Sequence, residues 1–249
     1  MPASLETLKA KLDASSIDTA SFSRLGALPD PIGALRVEGG QAAIALWKRL
    51  RRLVPETWHW PVLLGAAEER SFSVEGARLH TTQALLAQQS QQVPSPSSWH
   101  AIRESPEPEE TIEEIDWPTS APREAWSIPF DVLSHRPLEH VMLALVPTRA
   151  PWEVPIYLRF GGWNACPTPT QHASVMRRWN LEFGAEVVGV THDVVEMLVT
   201  RPAATHEAAL TLAREQAAYC VDLVDQGLGS VSALAAALYR APNWYFWWD

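Results

Sequence analysis

The sequence lacks the features that would place the protein outside the cell or in a membrane. It contains only two cysteines in 249 residues, which is too few for a disulfide scaffold. No apolar run approaches the roughly 20 residues that a membrane-spanning helix needs. The N-terminus has neither the apolar core nor the small-residue cleavage site of a signal peptide. These absences predict a cytoplasmic protein with reduced thiols.

Positive charge is also scarce. The chain has 20 basic and 29 acidic residues, for a net charge of −9. A protein that binds nucleic-acid backbone needs a basic face, and the one short basic cluster, at residues 48–52, is expected to be the solvated end of a helix. The patterns G-x-G-x-x-G and G-x-x-x-x-G-K-[ST], which cradle phosphates, are absent. We therefore expect no nucleic-acid partner and no membrane partner, and the acidity favours a basic protein partner.

Apolar periodicity predicts helices and strands over most of the chain. Strands are predicted at 32–37, 60–64, 141–146, 155–160, 186–191, 194–199 and 244–248, and helices at 5–12, 41–54, 169–183, after Thr205 and after Ser230. Strand pairs followed by helices predict an α+β fold, with a mixed or antiparallel sheet, helices packed mainly on one side and an N-terminal α/β extension. Aromatic residues on both faces of the last strand predict a central strand that is covered on both sides. The alternative is that one of these faces lines a groove that stacks a ligand or partner.

Composition divides the chain into three parts. Residues 1–95 are predicted to form an N-terminal α/β region, and residues 137–249 a C-terminal domain. Between them, residues 96–136 are acidic and rich in proline and serine, which is typical of a linker or a surface excursion. Trp99, Trp117 and Trp126 are predicted to pin this segment to the body of the protein.

A candidate nucleophile lies in the loop at residues 161–167, just before a predicted helix. The free N–H groups of a helix start lower the pKa of a nearby thiol, which points to Cys166. A nucleophilic cysteine needs a base, and the candidates are His172 and His192, the latter oriented by the neighbouring Asp193. The structural alternative is a buried cysteine beside a glycine turn, with a polar hairpin at residues 192–193.

Other residues are candidates for binding rather than catalysis: Trp163, Asn164, Asp222, Asp225, Trp244 and Trp247. Asp222 and Asp225 fall at a predicted helix end, where carboxylates oppose the helix dipole, so a basic partner, a metal or a helix cap is expected to offset them. No H-x-x-x-H or C-x-x-C spacing supports a metal, and none is predicted.

Several stretches in the last part of the chain resemble the bacterial domain of unknown function DUF4253. They are Gly161-Gly162-Trp163-Asn164-Ala165-Cys166-Pro167, Arg178-Trp179, Phe183-Gly184-Ala185-Glu186, Gly189-Val190-Thr191-His192-Asp193, Ala213-Arg214-Glu215-Gln216, Asp222-Leu223-Val224-Asp225-Gln226-Gly227 and Trp244-Tyr245-Phe246-Trp247-Trp248-Asp249. The resemblance implies a bacterial, intracellular setting. It implies no established activity, substrate or cofactor.

Two functional hypotheses follow, and a purely structural role for all these residues remains a third. Acidity, twelve tryptophans and the lack of a reaction motif predict a protein-interaction module of accessory or immunity type. The alternative is a hydrolase-like enzyme with a Cys/His site formed by the 161–167 loop, the 192–193 turn and the 222–227 segment. The enzyme hypothesis requires these three segments to meet in space.

Overall fold

A computed structural model describes residues 4–26, 28–66, 81–91 and 115–249. They are organised by one sheet of seven strands: β1 (Ser23–Arg24), β2 (Gly33–Glu38), β3 (Trp60–Ala66), β4 (His140–Val146), β5 (Ala185–Val190), β6 (Val194–Val199) and β7 (Asn243–Trp247). The order in the sheet is β1-β2-β4-β3-β5-β6-β7. Only the β3–β5 pair is parallel, so the sheet is mixed.

Helices pack around this sheet, which confirms the predicted α+β class. They are α1 (Leu5–Ala14), α2 (Gly40–Arg52), α3 (Val54–Thr57), α4 (Thr82–Gln91), α5 (Val154–Leu158), α6 (Pro169–Phe183), α7 (His206–Tyr219) and α8 (Val231–Leu238), with a π-helical turn at Leu223–Leu228. Within the described ranges, no helix combines the length and apolarity that crossing a membrane requires.

Strands from the two ends of the chain share this one sheet. β3 lies between β4 and β5, with Pro61 opposite Leu145 and Leu63 opposite Gly189. The indole of Trp60 donates to the carbonyl oxygen of Val187 at 2.8 Å. The core therefore runs continuously across the predicted regions 1–95 and 137–249, whose division stays a prediction.

Local chemistry sets where the longer helices begin. The Thr168 side chain accepts from the backbone N–H of Gln171, and the Gln171 side chain accepts from the backbone N–H of Thr168. This reciprocal capping box satisfies two N–H groups that have no partner within the helix. Thr205 and Ser230 cap α7 and α8 in the predicted places.

Two predicted strands differ in the structure. Residues 155–160 are not a strand, because a 3₁₀ turn at Pro151–Glu153 leads into helix α5. Proline is well suited to the first turn of a helix and cannot donate to a strand ladder, which explains the error. The terminal strand β7 is an edge strand rather than a central one. On one face of β7 the Tyr245 side chain is 43% exposed, whereas Phe246 on the opposite face is fully buried.

The segment before β4 is attached to the sheet by a buried carboxylate. Glu196 on β6 is 2% exposed and accepts from the backbone N–H and the hydroxyl of Ser127, at 2.6 and 2.7 Å. It also accepts from the backbone N–H of Ile128 at 3.3 Å. Trp117 and Trp126 pack against the core as predicted, and Trp99 lies outside the described residues.

Candidate functional site

The three predicted segments meet around the last two residues of the chain. The side-chain amide of Asn164 donates to the carbonyl oxygen of Asp249 at 3.0 Å. The backbone N–H of Trp248 donates to the carbonyl oxygen of Asp193 at 3.1 Å, and that of Asp249 donates to the Asp222 carboxylate at 3.3 Å. Loops that are far apart in sequence are therefore held together by Trp248 and Asp249, which directly follow β7.

Beneath this surface, Cys166, His172 and Tyr219 form a buried chain of polar contacts. The Cys166 Sγ lies 3.4 Å from Nε2 of His172, and the Tyr219 hydroxyl lies 2.5 Å from Nδ1 of the same ring. His172 occupies the first turn of α6, and Tyr219 is the last residue of α7. This is the order of nucleophile, base and orienting group that a catalytic cysteine requires.

Close packing fixes the position of the His172 ring. A Cβ atom added to Gly161, whose φ is 100°, would lie 2.7 Å from the His172 ring. Phe160 and Trp248 also pack on the imidazole, with ring centroids 5.0 and 5.2 Å away. The glycine is therefore needed both for the turn and for the approach of the imidazole.

Burial keeps this chain of groups uncharged. It raises the pKa of the Cys166 thiol and of the Tyr219 phenol, and it lowers the pKa of His172 to about 3. A charged side chain inside an apolar environment loses its hydration, so the neutral forms predominate at neutral pH. Since the thiolate is the reactive form of cysteine, the folded protein holds Cys166 in its unreactive state.

The second cysteine has a structural contact. Cys220 is 1% exposed, and its thiol donates to the carbonyl oxygen of Trp247 at 2.9 Å. Burial raises the pKa of Cys220 to about 11. Both thiols are free and buried, and Cys220 supports the outer edge of β7.

The predicted turn at His192 and Asp193 has contacts of its own, which differ from those of Cys166 and His172. The Nε2 atom of His192 lies 3.3 Å from Oδ2 of Asp193, and the His192 side chain is 61% exposed. The other carboxylate oxygen of Asp193 accepts from the Thr191 hydroxyl at 3.0 Å. The structure therefore pairs Cys166 with His172, the other predicted base, and gives residues 192–193 the geometry of a polar hairpin turn.

The candidate binding residues have mixed surroundings. Trp244 is 2% exposed and lies in the core, Trp247 is half-buried, and Trp163 packs edge-on against Phe160. Asp222 accepts from the Gln226 side chain at 2.9 Å as well as from Asp249, so backbone and amide donors offset its charge. Asp225 lies exposed on the π-helical turn.

No metal centre is apparent in the part of the chain that the structure describes. There, no group of three or more histidine, cysteine, aspartate or glutamate side chains is arranged to hold an ion.

Sequence reasoning missed an exposed apolar turn at residues 131–136. Val132 and Leu133 are 77% and 92% exposed, yet the turn is well ordered by hydrogen bonds. One Asp131 oxygen accepts from both the backbone N–H and the hydroxyl of Ser134, each at 2.7 Å. The backbone N–H of Asp131 donates to the carbonyl oxygen of Arg136 at 2.8 Å. An aspartate followed three residues later by serine was the available sequence signal, since Asp favours turns of this kind.

This turn, called here the Val132–Leu133 turn, stands on a fixed base. The backbone N–H groups of Gly40 and Leu138 both donate to the carbonyl oxygen of Pro129, at 2.8 and 3.1 Å. Gly40 has a φ of 64°, and a Cβ atom there would lie 2.8 Å from the Cβ atom of Pro137. Gly40 therefore supports the base of the turn through its backbone and its close approach to Pro137.

Comparison with protein families identifies the C-terminal part. Residues 142–249 match the model of the family described as domain of unknown function DUF4253, which confirms the resemblance for that part of the chain. The match begins inside β4, so it does not include β1, β2 and β3. Comparisons with curated proteins and with solved structures find no match.

Proposed function

We propose that this protein is a cytoplasmic protein-interaction module, of accessory or immunity type, that binds a basic protein partner through the Val132–Leu133 turn. The observation that carries the proposal is the combination of two almost fully exposed aliphatic side chains with a hydrogen-bonded, well-seated backbone. Contiguous apolar surface left in water marks protein-interaction sites, and Val132 and Leu133 are adjacent in this turn.

The energetics favour binding at this place. Full burial of a valine or leucine side chain contributes about 1.5–3 kcal/mol. Because the turn is already ordered, little conformational entropy is lost when a partner covers it. The net charge of −9 would speed the approach of a positively charged partner and make the association rate sensitive to salt.

The test uses the tagged full chain to capture a stoichiometric partner from lysate, followed by a binding measurement with the purified partner. The double variant Val132→Ser/Leu133→Ser is expected to weaken binding at least 100-fold. The matched control is Leu181→Ser/Leu228→Ser, which changes two apolar residues exposed elsewhere, on α6 and the π-helical turn. Failure to recover a stoichiometric partner, or equal losses in the two double variants, would contradict the proposal.

A second candidate function is the hydrolase-like enzyme, which the Cys166–His172–Tyr219 contacts favour. In this hypothesis Cys166 is the nucleophile and His172 the base, and the surface above them is built by the 161–167 loop, the 192–193 turn and the 222–227 segment. The raised pKa of Cys166 argues against it, since a local opening would have to expose the thiol first.

Iodoacetamide labelling followed by mass spectrometry separates the two functions. A catalytic Cys166 would be labelled quickly in the native protein, and the His172→Gln variant would lose that reactivity. For the interaction module we expect Cys166 to react only on unfolding. Rapid native labelling that depends on His172 would favour the enzyme.

A further inference from the structure

One tryptophan from outside the DUF4253 match sits on an aromatic surface of the matched part. The Trp117 indole stacks on the His206 imidazole with centroids 4.0 Å apart and planes inclined by 3°. It also meets the Tyr239 ring edge-on at 5.5 Å, and His206 meets Tyr239 at 4.8 Å. The two rings form a corner that holds the indole.

The walls of this corner are the ends of two helices. His206 is the first residue of α7, directly after its cap Thr205, and Tyr239 directly follows α8. The backbone N–H of Arg240 donates to the carbonyl oxygen of Ala203 at 2.9 Å, which ties the two helix ends together. The Arg240 guanidinium lies 4.7 Å from the centre of the Tyr239 ring. The corner is thus built by residues 203–206 and 239–240, which are joined by a backbone hydrogen bond that does not involve Trp117.

We propose that His206, Tyr239 and Arg240 form a binding site for an acidic peptide that carries a tryptophan, and that residues 115–117 occupy this site in cis. This site shares no residue with the Val132–Leu133 turn, and its test is independent of the function proposed above. The structure shows the occupant: the Trp117 indole contacts the rings of His206 and Tyr239, and it comes from a segment with no regular secondary structure.

Charge explains why the peptide is acidic. The sequence before Trp117 is dominated by glutamate, and Asp116 adjoins the tryptophan. The N-terminal end of α7 carries the positive end of the helix dipole, which Glu207 in the first turn partly offsets, and Arg240 adds a full positive charge beside Tyr239. The ring stack supplies the affinity for tryptophan, and these positive groups favour acidic residues next to it.

A tethered occupant weakens binding of the same peptide in trans by a predictable factor. An intramolecular segment has an effective concentration of about 1 mM, so an intrinsic Kd of roughly 10–100 μM gives a 10–100-fold loss of apparent affinity. A partner that presents such a segment at high local concentration would exchange with Trp117.

The test measures binding of a fluorescein-labelled peptide of residues 111–120, Thr-Ile-Glu-Glu-Ile-Asp-Trp-Pro-Thr-Ser, by fluorescence anisotropy. The full-length Trp117→Ala variant is expected to bind it at least tenfold more tightly than the unchanged chain. Adding His206→Ala to that variant should remove the gain, and so should replacing tryptophan with alanine in the peptide. The matched control Trp126→Ala leaves Trp117 in place and should bind no better than the unchanged chain.

Thermal unfolding of each variant shows that the binding measurements concern folded protein. Trp117→Leu, which keeps an apolar contact while removing the stacked indole, replaces Trp117→Ala if the latter does not fold. Equal peptide affinity of the unchanged chain and the folded Trp117 variant would overturn the proposal, as would binding that survives loss of His206.

Discussion

At the residue scale, two adjacent glycines in the loop before α6 have different reasons to be glycine. Both have positive φ, 100° at Gly161 and 91° at Gly162. A Cβ atom at Gly161 would meet the Pro167 carbonyl oxygen and the His172 ring, whereas one at Gly162 would have nothing within 4 Å. The first glycine therefore serves the turn and the packing of His172, and the second serves the turn alone.

This difference can be measured with Gly161→Ala and Gly162→Ala. Each alanine is strained by a positive φ, which costs about 1–3 kcal/mol. Gly161→Ala should lose a further 1–3 kcal/mol or so of unfolding free energy because the methyl group overpacks the site. Urea unfolding of both variants supplies the comparison, and equal losses would show that the His172 contact does not constrain this position.

His172 also predicts how stability depends on pH. Burial lowers its pKa to about 3, below the ordinary histidine value of about 6.5. Between these values the unfolded chain binds a proton that the folded protein excludes, so stability rises with pH through this window and levels off above it. The contribution is fully present above pH 6.5 and is lost as the pH falls, with a slope of at most about 1.4 kcal/mol per pH unit.

The measurement is urea unfolding at pH 7 and at pH 5 for the unchanged chain and for His172→Gln. The variant, whatever its absolute stability, should lose stability less steeply on acidification. His59, whose pKa burial also lowers, acts in the same direction in both chains. The carboxyls of Glu153, Glu196 and Glu215, whose pKa values are raised by desolvation, act in the opposite direction in both chains. Identical pH slopes would mean that His172 charges within the folded state.

At the element scale, α6 depends on its start. The helix places His172 and Trp179 in the core and begins at the Thr168–Gln171 capping box. Thr168→Ala removes the side chain that accepts from Gln171 and should cost about 0.5–2 kcal/mol. Thr168→Ser keeps the hydroxyl and should cost much less. Thermal and urea unfolding of the two variants test this, and equal losses would indicate that the methyl group, rather than the cap, matters.

The wrong strand prediction at residues 155–160 shows where local patterns fail. The apolar run is short, and a short apolar run fits either a buried strand or a buried helix. Pro151 and Pro155 were the deciding residues, because each lies in the first turn of a helical segment. The prediction for the last strand was wrong in a different way. The alternating aromatic residues predicted a strand correctly, but its position at the sheet edge depends on which strands pair with it, and only β6 does.

At the scale of the whole molecule, the family match does not coincide with a complete sheet. β3 separates β4 from β5, so a fragment of residues 137–249 lacks the strand that joins its own strands. The ion pair between Arg51 and Glu186 would also be missing. Exposed strand edges and a divided core should prevent cooperative folding.

The fragment of residues 137–249 is therefore expected to give no cooperative urea transition and to aggregate on concentration. Co-expression of a longer fragment of residues 115–249, which keeps Ser127 and Ile128 against Glu196, with a fragment of residues 1–91, which supplies β1, β2 and β3, should restore a soluble complex. Circular dichroism during urea titration measures whether unfolding is cooperative, and size-exclusion chromatography measures aggregation and the formation of the complex. A single sharp transition of the 137–249 fragment alone would instead establish it as an independent domain.

The sequence by itself determined the local features of this protein: the α+β class, the positions of most strands, the capped starts of α6, α7 and α8, and the likeness of the last part to DUF4253. These depend on residues close together in the chain, through periodicity, caps and turns. The sequence also pointed to Cys166 and His172 as candidate nucleophile and base. They are close in the chain, because Cys166 lies in the loop just before α6 and His172 lies in the first turn of that helix.

Only the tertiary structure decided the rest. In the folded protein β3 lies between β4 and β5, and the Tyr219 hydroxyl contacts His172. Trp117 stacks on His206, and Val132 and Leu133 are exposed to solvent. Each of these depends on residues far apart in sequence, or on which surfaces remain uncovered once the sheet has formed. No local pattern encodes such contacts, because they arise from burial of the whole chain at once.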